Sequence, residues 1–277
     1  VSGEDSVEQH NRQAWNRLVD HQSWFTTTAA NDSFANPLRA VDGLGWLGDS
    51  IAGQRVLCLA AGGGRQGPLY AAAGAEVTVL DLSDAMLELD RQVAAQRRIS
   101  LRLVQGSMTD LSMFRQDEFD LVIQPVSTCY ISGIVRVFQQ VARVLRSDGL
   151  YISQHKSPVS LQASLTWNSQ ASGDHPEVRG GYLIQHGYYD SRPVRPVTQK
   201  THLREPGTQE FVHRWEEIIG GMCRSGFWIE DLVEPFHADP DAEYSTLAHR
   251  CAYIAPYMRI KARRRGSSPS LFLPRTP

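Results

Sequence analysis

Val56-Leu57-Cys58-Leu59-Ala60-Ala61-Gly62-Gly63-Gly64-Arg65-Gln66-Gly67 runs on through Pro68-Leu69-Tyr70-Ala71-Ala72-Ala73-Gly74 into Ala75-Glu76-Val77-Thr78-Val79-Leu80-Asp81, and this stretch decides the fold. The apolar run 56–61 reads as a strand buried on both faces, as in a parallel sheet. The glycine cluster Gly62, Gly63, Gly64 and Gly67 then turns the chain into an alanine-rich helix. A second strand, 76–80, ends on an acid, Asp81. Glycines let backbone N–H groups come close to a bound ligand. An acid at the tip of the second strand can accept both hydroxyls of a ribose. The pattern predicts a nucleoside-cofactor site. Gly62-x-Gly64-x-x-Gly67 formally matches the dinucleotide fingerprint, with Asp81 near the expected distance. The same loop also serves as a tight turn in any doubly wound fold. Residues 1–54 precede the strand, which weighs against a dinucleotide domain beginning near its first strand.

Working outward, residues 7–25 read as an amphipathic helix with Val7, Ala14, Trp15, Leu18 and Val19 toward one side. Residues 31–54 are a connector rich in Gly, Asn and Asp. A helix is predicted over 84–96, started by Ser83 or Asp84, either of which can cap free N–H groups. Strands follow at 100–105 and 119–125, then a helix at 134–145 closed by Ser147-Asp148-Gly149, then a strand at 149–154. Strands separated by helices imply parallel pairing. Ligands then bind at the carboxyl ends of the strands, where the strand order reverses. From 156 to 208 the pattern breaks, with a possible hairpin between 182–189 and 197–204. A structureless loop of that length is unusual, so a lid or binding insertion is expected. Residues 210–225 read as helix, 228–235 and 251–262 as the last two strands, and 263–277 as a flexible tail.

Together these segments resemble a class I S-adenosylmethionine-dependent methyltransferase over residues 50–262. The 56–64 segment resembles the family's first motif. Val79-Leu80-Asp81-Leu82-Ser83-Asp84-Ala85-Met86-Leu87 is similar to its second segment, whose acid holds the ribose. Val104-Gln105-Gly106-Ser107-Met108-Thr109-Asp110-Leu111 resembles the adenine-edge loop, Phe119-Asp120-Leu121-Val122-Ile123 the fourth strand, and residues 144–152 the helix end, turn and fifth strand. The resemblance implies an α/β, doubly wound, Rossmann-like seven-stranded sheet with an antiparallel last strand, an N-terminal helix over the cofactor cleft, and a lid-like insertion after the fifth strand. It implies a helical cap and connector (1–54), a methyltransferase domain (55–262) with residues 156–208 as substrate lid, and a tail (263–277). S-adenosyl-L-methionine is the implied cofactor, held by Ala60, Ala61, Gly62, Gly64, Asp81, Leu82, Met86, Ser107, Met108, Gln124 and Pro125. Three positions depart from the pattern. Ala60 replaces the first glycine of the triplet, Cys58 a position often acidic, and Ser107 the usual Asp of the adenine loop. A serine can still bond the adenine amine, though without charge.

Methyl transfer from a sulfonium is an in-line displacement that asks mainly for positioning. An oxygen or nitrogen acceptor can also need a general base. His155, directly after the fifth strand, is the best-placed base; the alternative is a hydrogen-bonded rim histidine. His213, in Phe211-Val212-His213-Arg214-Trp215, either contacts substrate or braces the lid. Tyr130 either faces substrate or packs in the core. His186, His202, His237 and His249 read as surface residues. Gln124-Pro125-Val126-Ser127 lacks the Asn-Pro-Pro-Tyr or Asp-Pro-Pro-Tyr of amino-group methyltransferases acting on nucleobases or glutamine. Trp167, Tyr182, Tyr188 and Tyr189 either wall a substrate pocket or form the insertion's own core.

The chain of 277 residues, 42% hydrophobic and 21% charged, fits an ordinary globular protein. A net charge of −2 gives no electrostatic case for nucleic acid or membrane partners, although Lys261, Arg263, Arg264 and Arg265 form a basic run that could touch phosphate. No apolar run reaches transmembrane length, and the N-terminus lacks a signal-peptide pattern. The four cysteines are scattered, which fits a reducing cytoplasm and no structural metal. The histidines and carboxylates lack a spacing such as His-Glu-x-x-His, so no catalytic metal is expected. The expected activity is methylation of an oxygen or nitrogen of a small metabolite. RNA or protein methylation, non-catalytic cofactor binding and nicotinamide-dependent oxidation are the rivals.

Overall fold

A computed structural model describes residues 3–172, 179–197 and 204–266. Its sheet is built from β1 (Arg55–Leu59), β2 (Glu76–Asp81), β3 (Arg102–Gln105), β4 (Phe119–Gln124), β5 (Leu145–Lys156), β6 (Phe227–Val233) and β7 (Tyr257–Arg264). The seven strands lie in the order β3-β2-β1-β4-β5-β7-β6. β1 to β5 are mutually parallel, and β7 runs antiparallel to both β5 and β6. The strand order reverses between β1 and β4, which places a ligand crevice at their carboxyl ends.

The two-sided burial of β1 explains its unbroken apolar sequence. Leu57 and Leu59 pack into one core cluster, and Val56 and Cys58 into another on the opposite face. The long helices are α1 (Gly3–Asp20), α4 (Asp84–Arg97) and α5 (Ile134–Val144), with shorter α2 (Pro37–Val41) and α3 (Gln66–Ala72) between them. α5 buries Ile134, Val137, Phe138, Val141 and Val144, a stripe at helical spacing. α4 is started by Ser83, whose Oγ accepts from the Met86 N–H at 3.1 Å.

Several boundaries differ from the sequence reading, each for a local reason. α1 stops at Asp20 because Gln22 takes a left-handed φ of 49°, and a short 3-10 turn, Trp24–Thr26, follows. β5 starts at Leu145 rather than 149, so the Ser147-Asp148-Gly149 turn is an irregularity inside a longer strand, with Asp148 at φ 60°. The 210–225 helix is only half present. Phe211 is held outside the helix by its N–H bond to the Cys129 carbonyl (2.7 Å), and the chain becomes helical only as a π-helical turn, Glu216–Gly220, followed by an α-helical one, Gly221–Arg224. Cys251 closes a short helix, Leu247–Cys251, so the last strand begins only at Tyr257, after Pro256.

Within the insertion, Asn168–Ser172 pairs with Arg179–Gly181, outside the hairpin expected between 182–189 and 197–204. Residues 198–203 of that hairpin lie outside the described residues, as does His202. Trp167 and Tyr182 pack with Tyr244, His249 and Tyr253, so these rings form a small core and not a substrate wall. Arg250, fully buried, ties that core to the main body by donating to the Ser164 carbonyl (3.0 Å), the Ser160 carbonyl (2.8 Å) and Ser160 Oγ (2.9 Å).

The basic run is also not a free tail. Arg263 and Lys261 pair with Glu230, Arg264 with Asp117, and the Arg265 guanidinium lies 4.4 Å over the Trp228 ring. Residues 267–277 of the expected tail lie outside the described residues.

Phe138 touches both the sheet and the 216–224 helical segment: its ring lies 6.3 Å from that of Tyr151, and a Cβ on Gly221 would meet it at 3.3 Å. Phe138→Ala is therefore expected to lower unfolding free energy by roughly 3–5 kcal/mol, measured by urea denaturation. A loss under about 1 kcal/mol would mean the site collapses and Phe138 is not the keystone of that face.

Candidate functional site

A cavity of about 620 Å³ opens at the carboxyl ends of β1, β2, β4 and β5. Its wall brings together Ala60, Ala61, Gly62, Asp81, Leu82, Met86, Ser107, Met108, Gln124, Pro125 and Tyr130. Gly64, His155 and His213 are not in it. Gly64 serves packing instead: at φ +68°, a Cβ there would press against the Leu89 carbonyl and Val93 at 2.9 Å. Gly63, absent from the expected set, lines the cavity in its place.

The turn after β1 is tight. Ala60 adopts φ 48°, the left-handed region that favours glycine. A Cβ on Gly62 would come within 2.8 Å of Met86 Cβ and 3.0 Å of the Asp81 carboxylate, so only glycine lets the loop lie this close to α4 and β2. Two carboxylates then hold the loop's N–H groups. Asp81 accepts from Gly62 N through Oδ2 and from Ser83 N through Oδ1, each at 2.9 Å. Burial raises Asp81 above the ordinary carboxylate range, against the opposing pull of the Ser83, Gly62 and Leu82 N–H groups. Asp90, on the buried face of α4, accepts from Gly63 N at 2.9 Å through Oδ2, while its Oδ1 has no hydrogen-bond partner. Burial pushes Asp90 up to about 7, opposed by the Gly64 and Gly63 N–H groups. Cys58, in the position the resemblance makes acidic, is a buried thiol pushed far up by burial and by Asp90, so it carries no charge. The loop's acid comes from α4 instead.

Toward β3, Ser107 and Met108 share the wall with Glu8 of α1. α1 crosses the cleft on polar anchors. Asn11 donates to the Tyr130 carbonyl (2.9 Å) and accepts from Gln209 N (2.8 Å), and Arg12 and Asn16 donate to Asp84 (3.2 and 3.0 Å). Toward β4, Gln124 donates to Ser127 Oγ (3.0 Å) and accepts from Tyr151.

At the far end, Tyr130 and Glu205 line the cavity with Trp15, His237, Tyr257 and Arg259. Glu205 accepts from Lys156 Nζ at 2.6 Å, and Lys156 also donates to Glu210 at 2.5 Å, while Arg204 pairs with Glu210. Burial alone would lower the Lys156 pKa, but Glu205 and Glu210 hold its ammonium well above the usual lysine range. The Tyr130 hydroxyl is buried without a hydrogen bond of good geometry. Burial first, and the Glu205 carboxylate next, push its pKa well up.

His155 and His213 are corrected as candidate bases. His155 is 1% exposed, its two ring nitrogens bonded to Thr128 Oγ1 (2.9 Å) and Ser153 Oγ (2.8 Å), and burial with nearby His213 lowers it to about 3. His213 bonds the Thr128 carbonyl at 2.8 Å, and burial lowers its pKa too. Both brace the 128–131 turn. His249 is buried rather than on the surface, and His237 is exposed but faces the cavity.

Three residues escaped the sequence reading. Asp90 was signalled by its place on the apolar stripe of α4 with Met86, Leu87, Val93 and Ala94. Glu8 sits one helical face with Asn11 and Trp15, a polar start to an otherwise core-like stripe. Glu205 lies in the insertion, where no pattern marks it. The 31–54 connector also contributes to the site: Val41, Asp42, Leu44 and Trp46 wall one side of the cavity.

Asp90's raised pKa makes it a source of stability that is full below about pH 4 and is lost as pH rises to about 7. Asp90→Asn keeps an acceptor for Gly63 and removes the titration. The difference in unfolding free energy between wild type and variant is expected to shift in the variant's favour from pH 4 to pH 7; a pH-independent difference would contradict the assignment. Ala60→Gly should relieve the left-handed strain and stabilise by about 1 kcal/mol, with destabilisation in the same urea titration contradicting it.

The loop, the acid at the tip of β2 and the thioethers of Met86 and Met108 on the wall suit a nucleoside with a charged tail. Among the described residues, no group of His, Cys, Asp and Glu is placed to hold a metal ion, and no helix is long and apolar enough to cross a membrane. The family described as "Methyltransferase domain" matches residues 57–153. The uncharacterized methyltransferase YbaJ of Bacillus subtilis is 31% identical over 238 residues, covering 81% of this chain and 89% of that protein. The crystal structure of an S-adenosylmethionine-dependent methyltransferase from Mesorhizobium loti superposes with a TM-score of 0.61 at 21% identity, over 83% of this chain and 100% of that one. The Burkholderia thailandensis 1,6-didemethyltoxoflavin-N1-methyltransferase, solved with 1,6-didemethyltoxoflavin and S-adenosylhomocysteine, gives a TM-score of 0.56 at 14% identity, over 96% and 92%. The chain belongs to the class I S-adenosylmethionine-dependent methyltransferases, and S-adenosylmethionine is its cofactor.

Proposed function

We propose that the enzyme methylates an oxygen or nitrogen of a small metabolite held between Tyr130 and Glu205. The observation that carries this reading is the packing of three segments at the far end of the cavity. The 128–131 turn, the end of the insertion and α1 meet there, and Asn11 ties all three through Tyr130 and Gln209. A nucleic-acid strand would need an open basic groove, whereas Arg263 and Arg264 of the final strand are committed to internal partners. The toxoflavin-precursor enzyme, of similar fold, acts on a small heterocycle.

When bound, S-adenosylmethionine supplies a methyl group already activated by the positive sulfur. The chain's residues bind and orient. Asp81, which has lone pairs beyond those given to Gly62 and Ser83, accepts the ribose hydroxyls. The loop of Gly62 and Gly63 and the Gln124 edge of β4 bound the methionine end. Glu205, fixed by Lys156, offers a carboxylate oxygen to the acceptor's O–H or N–H. Tyr130 walls the same end of the cavity, its buried hydroxyl kept protonated beside Glu205. Together they hold the acceptor atom in line and take up its proton, a positioning effect worth several kcal/mol.

Two measurements test this reading. Asp81→Asn should weaken S-adenosylhomocysteine binding by about 10- to 100-fold in calorimetry, as expected for losing hydrogen bonds to a charged group; unchanged affinity would move the ribose elsewhere. In a cell extract given methyl-labelled S-adenosylmethionine, wild type should place label in the small-molecule fraction. Glu205→Gln and Tyr130→Phe should lose that label while still binding S-adenosylhomocysteine. Label in RNA or protein instead would sink the proposal.

A further inference from the structure

We propose that Glu8 of α1 is the group that recognises the cofactor's nucleobase and selects a 6-amino purine over a 6-oxo one. The strand tips set the layout. The loop after β1 takes the methionine tail and Asp81, at the tip of β2, takes the ribose, so the base must lie toward the next tip, that of β3. The wall there is Gly106, Ser107, Met108 and Glu8. Gly106 N donates to the Asp81 carbonyl at 3.0 Å, which locks this wall to the ribose acid.

Among the described residues, Glu8 is the one carboxylate in that part of the wall. Its Oε1 accepts from both Ser107 Oγ and Thr109 Oγ1 (3.1 Å for the latter), while Oε2 takes part in neither bond. Ser107 Oγ is further engaged as an acceptor from Thr109 N at 3.1 Å. The serine is thus spent on its own turn and on Glu8, and the carboxylate is the acceptor left to face a ligand. An ionised carboxylate accepts and cannot donate. A 6-amino purine presents an N–H donor to it, whereas a 6-oxo purine presents another acceptor and is repelled.

The position of Glu8 is imposed from elsewhere on α1, by Asn11 to Tyr130 and Gln209, by Arg12 and Asn16 to Asp84, and by His10 to the Gly207 carbonyl (2.8 Å). The carboxylate is therefore held at the base edge before any ligand arrives. The inference concerns the cofactor subsite and stands whichever acceptor is methylated.

The test is calorimetry with S-adenosylhomocysteine and S-inosylhomocysteine, on wild type, Glu8→Gln and Ser107→Ala. Wild type should prefer the adenosyl compound by at least about tenfold, the order expected for a charge-assisted hydrogen bond. Glu8→Gln, whose amide can both accept and donate, should bring the ratio near one while still binding both compounds. Ser107→Ala should keep most of the preference. A wild-type preference that survives in Glu8→Gln but vanishes in Ser107→Ala would assign recognition to the serine and overturn the proposal. Equal binding of both compounds by wild type would overturn it as well.

Discussion

Everything in this site hangs on how the turn after β1 is held. Its N–H groups point at two carboxylates from different elements, Asp81 from β2 and Asp90 from α4. An uncompensated buried carboxylate is costly, and Asp90, at 0% exposure, is tolerated because the glycine N–H groups approach it. Gly62 is needed for closeness, since a Cβ there would meet Met86 Cβ and Asp81, whereas Gly63, at φ +116°, is needed for its backbone freedom. Ala60 shows that the left-handed turn survives without glycine at its first position. The acid that β1 lacks at Cys58 is thus supplied across space by α4.

The same logic governs the other end of the cavity. Lys156, Glu205, Glu210 and Arg204 form a buried network in which two positive groups meet two negative ones. Such a network adds little net stability over apolar packing, but removing one member strands a buried charge. What it does for the site is to set Glu205 at the cavity wall from a segment with little regular structure of its own. The buried, neutral His155 and His213 serve the same turn by bonding Thr128, which positions Tyr130 two residues on. Histidines at a rim are often bases; these are braces, because they are buried off the cavity wall with ring nitrogens already bonded to Thr128 and Ser153.

The parallel core was legible in the sequence because its central strands β1, β2 and β4 are apolar and buried along most of their length and the acid and glycines at their tips have local jobs. Asp81, Gly62, Met86 and Gln124 were found that way. The remaining wall was not legible, because Glu8, Glu205 and Trp46 reach the cavity only through tertiary packing of separate elements. Residues 210–215 misled for a related reason: their apolar spacing reflects burial of Phe211, Val212 and His213 in an extended crossing, not a helical stripe. The basic run at 261–265 looked like a tail since the partners that neutralise it, Glu230 and Asp117, are distant in sequence.

The most direct measurement is a crystal structure of the complex with S-adenosylhomocysteine. The account predicts ribose hydroxyls on Asp81, the amino-acid tail along the 62–63 loop with Asp90 still on Gly63 N, and the adenine amine at Glu8 Oε2. An adenine placed away from the β3 tip, or a loop released from Asp90 on binding, would contradict it.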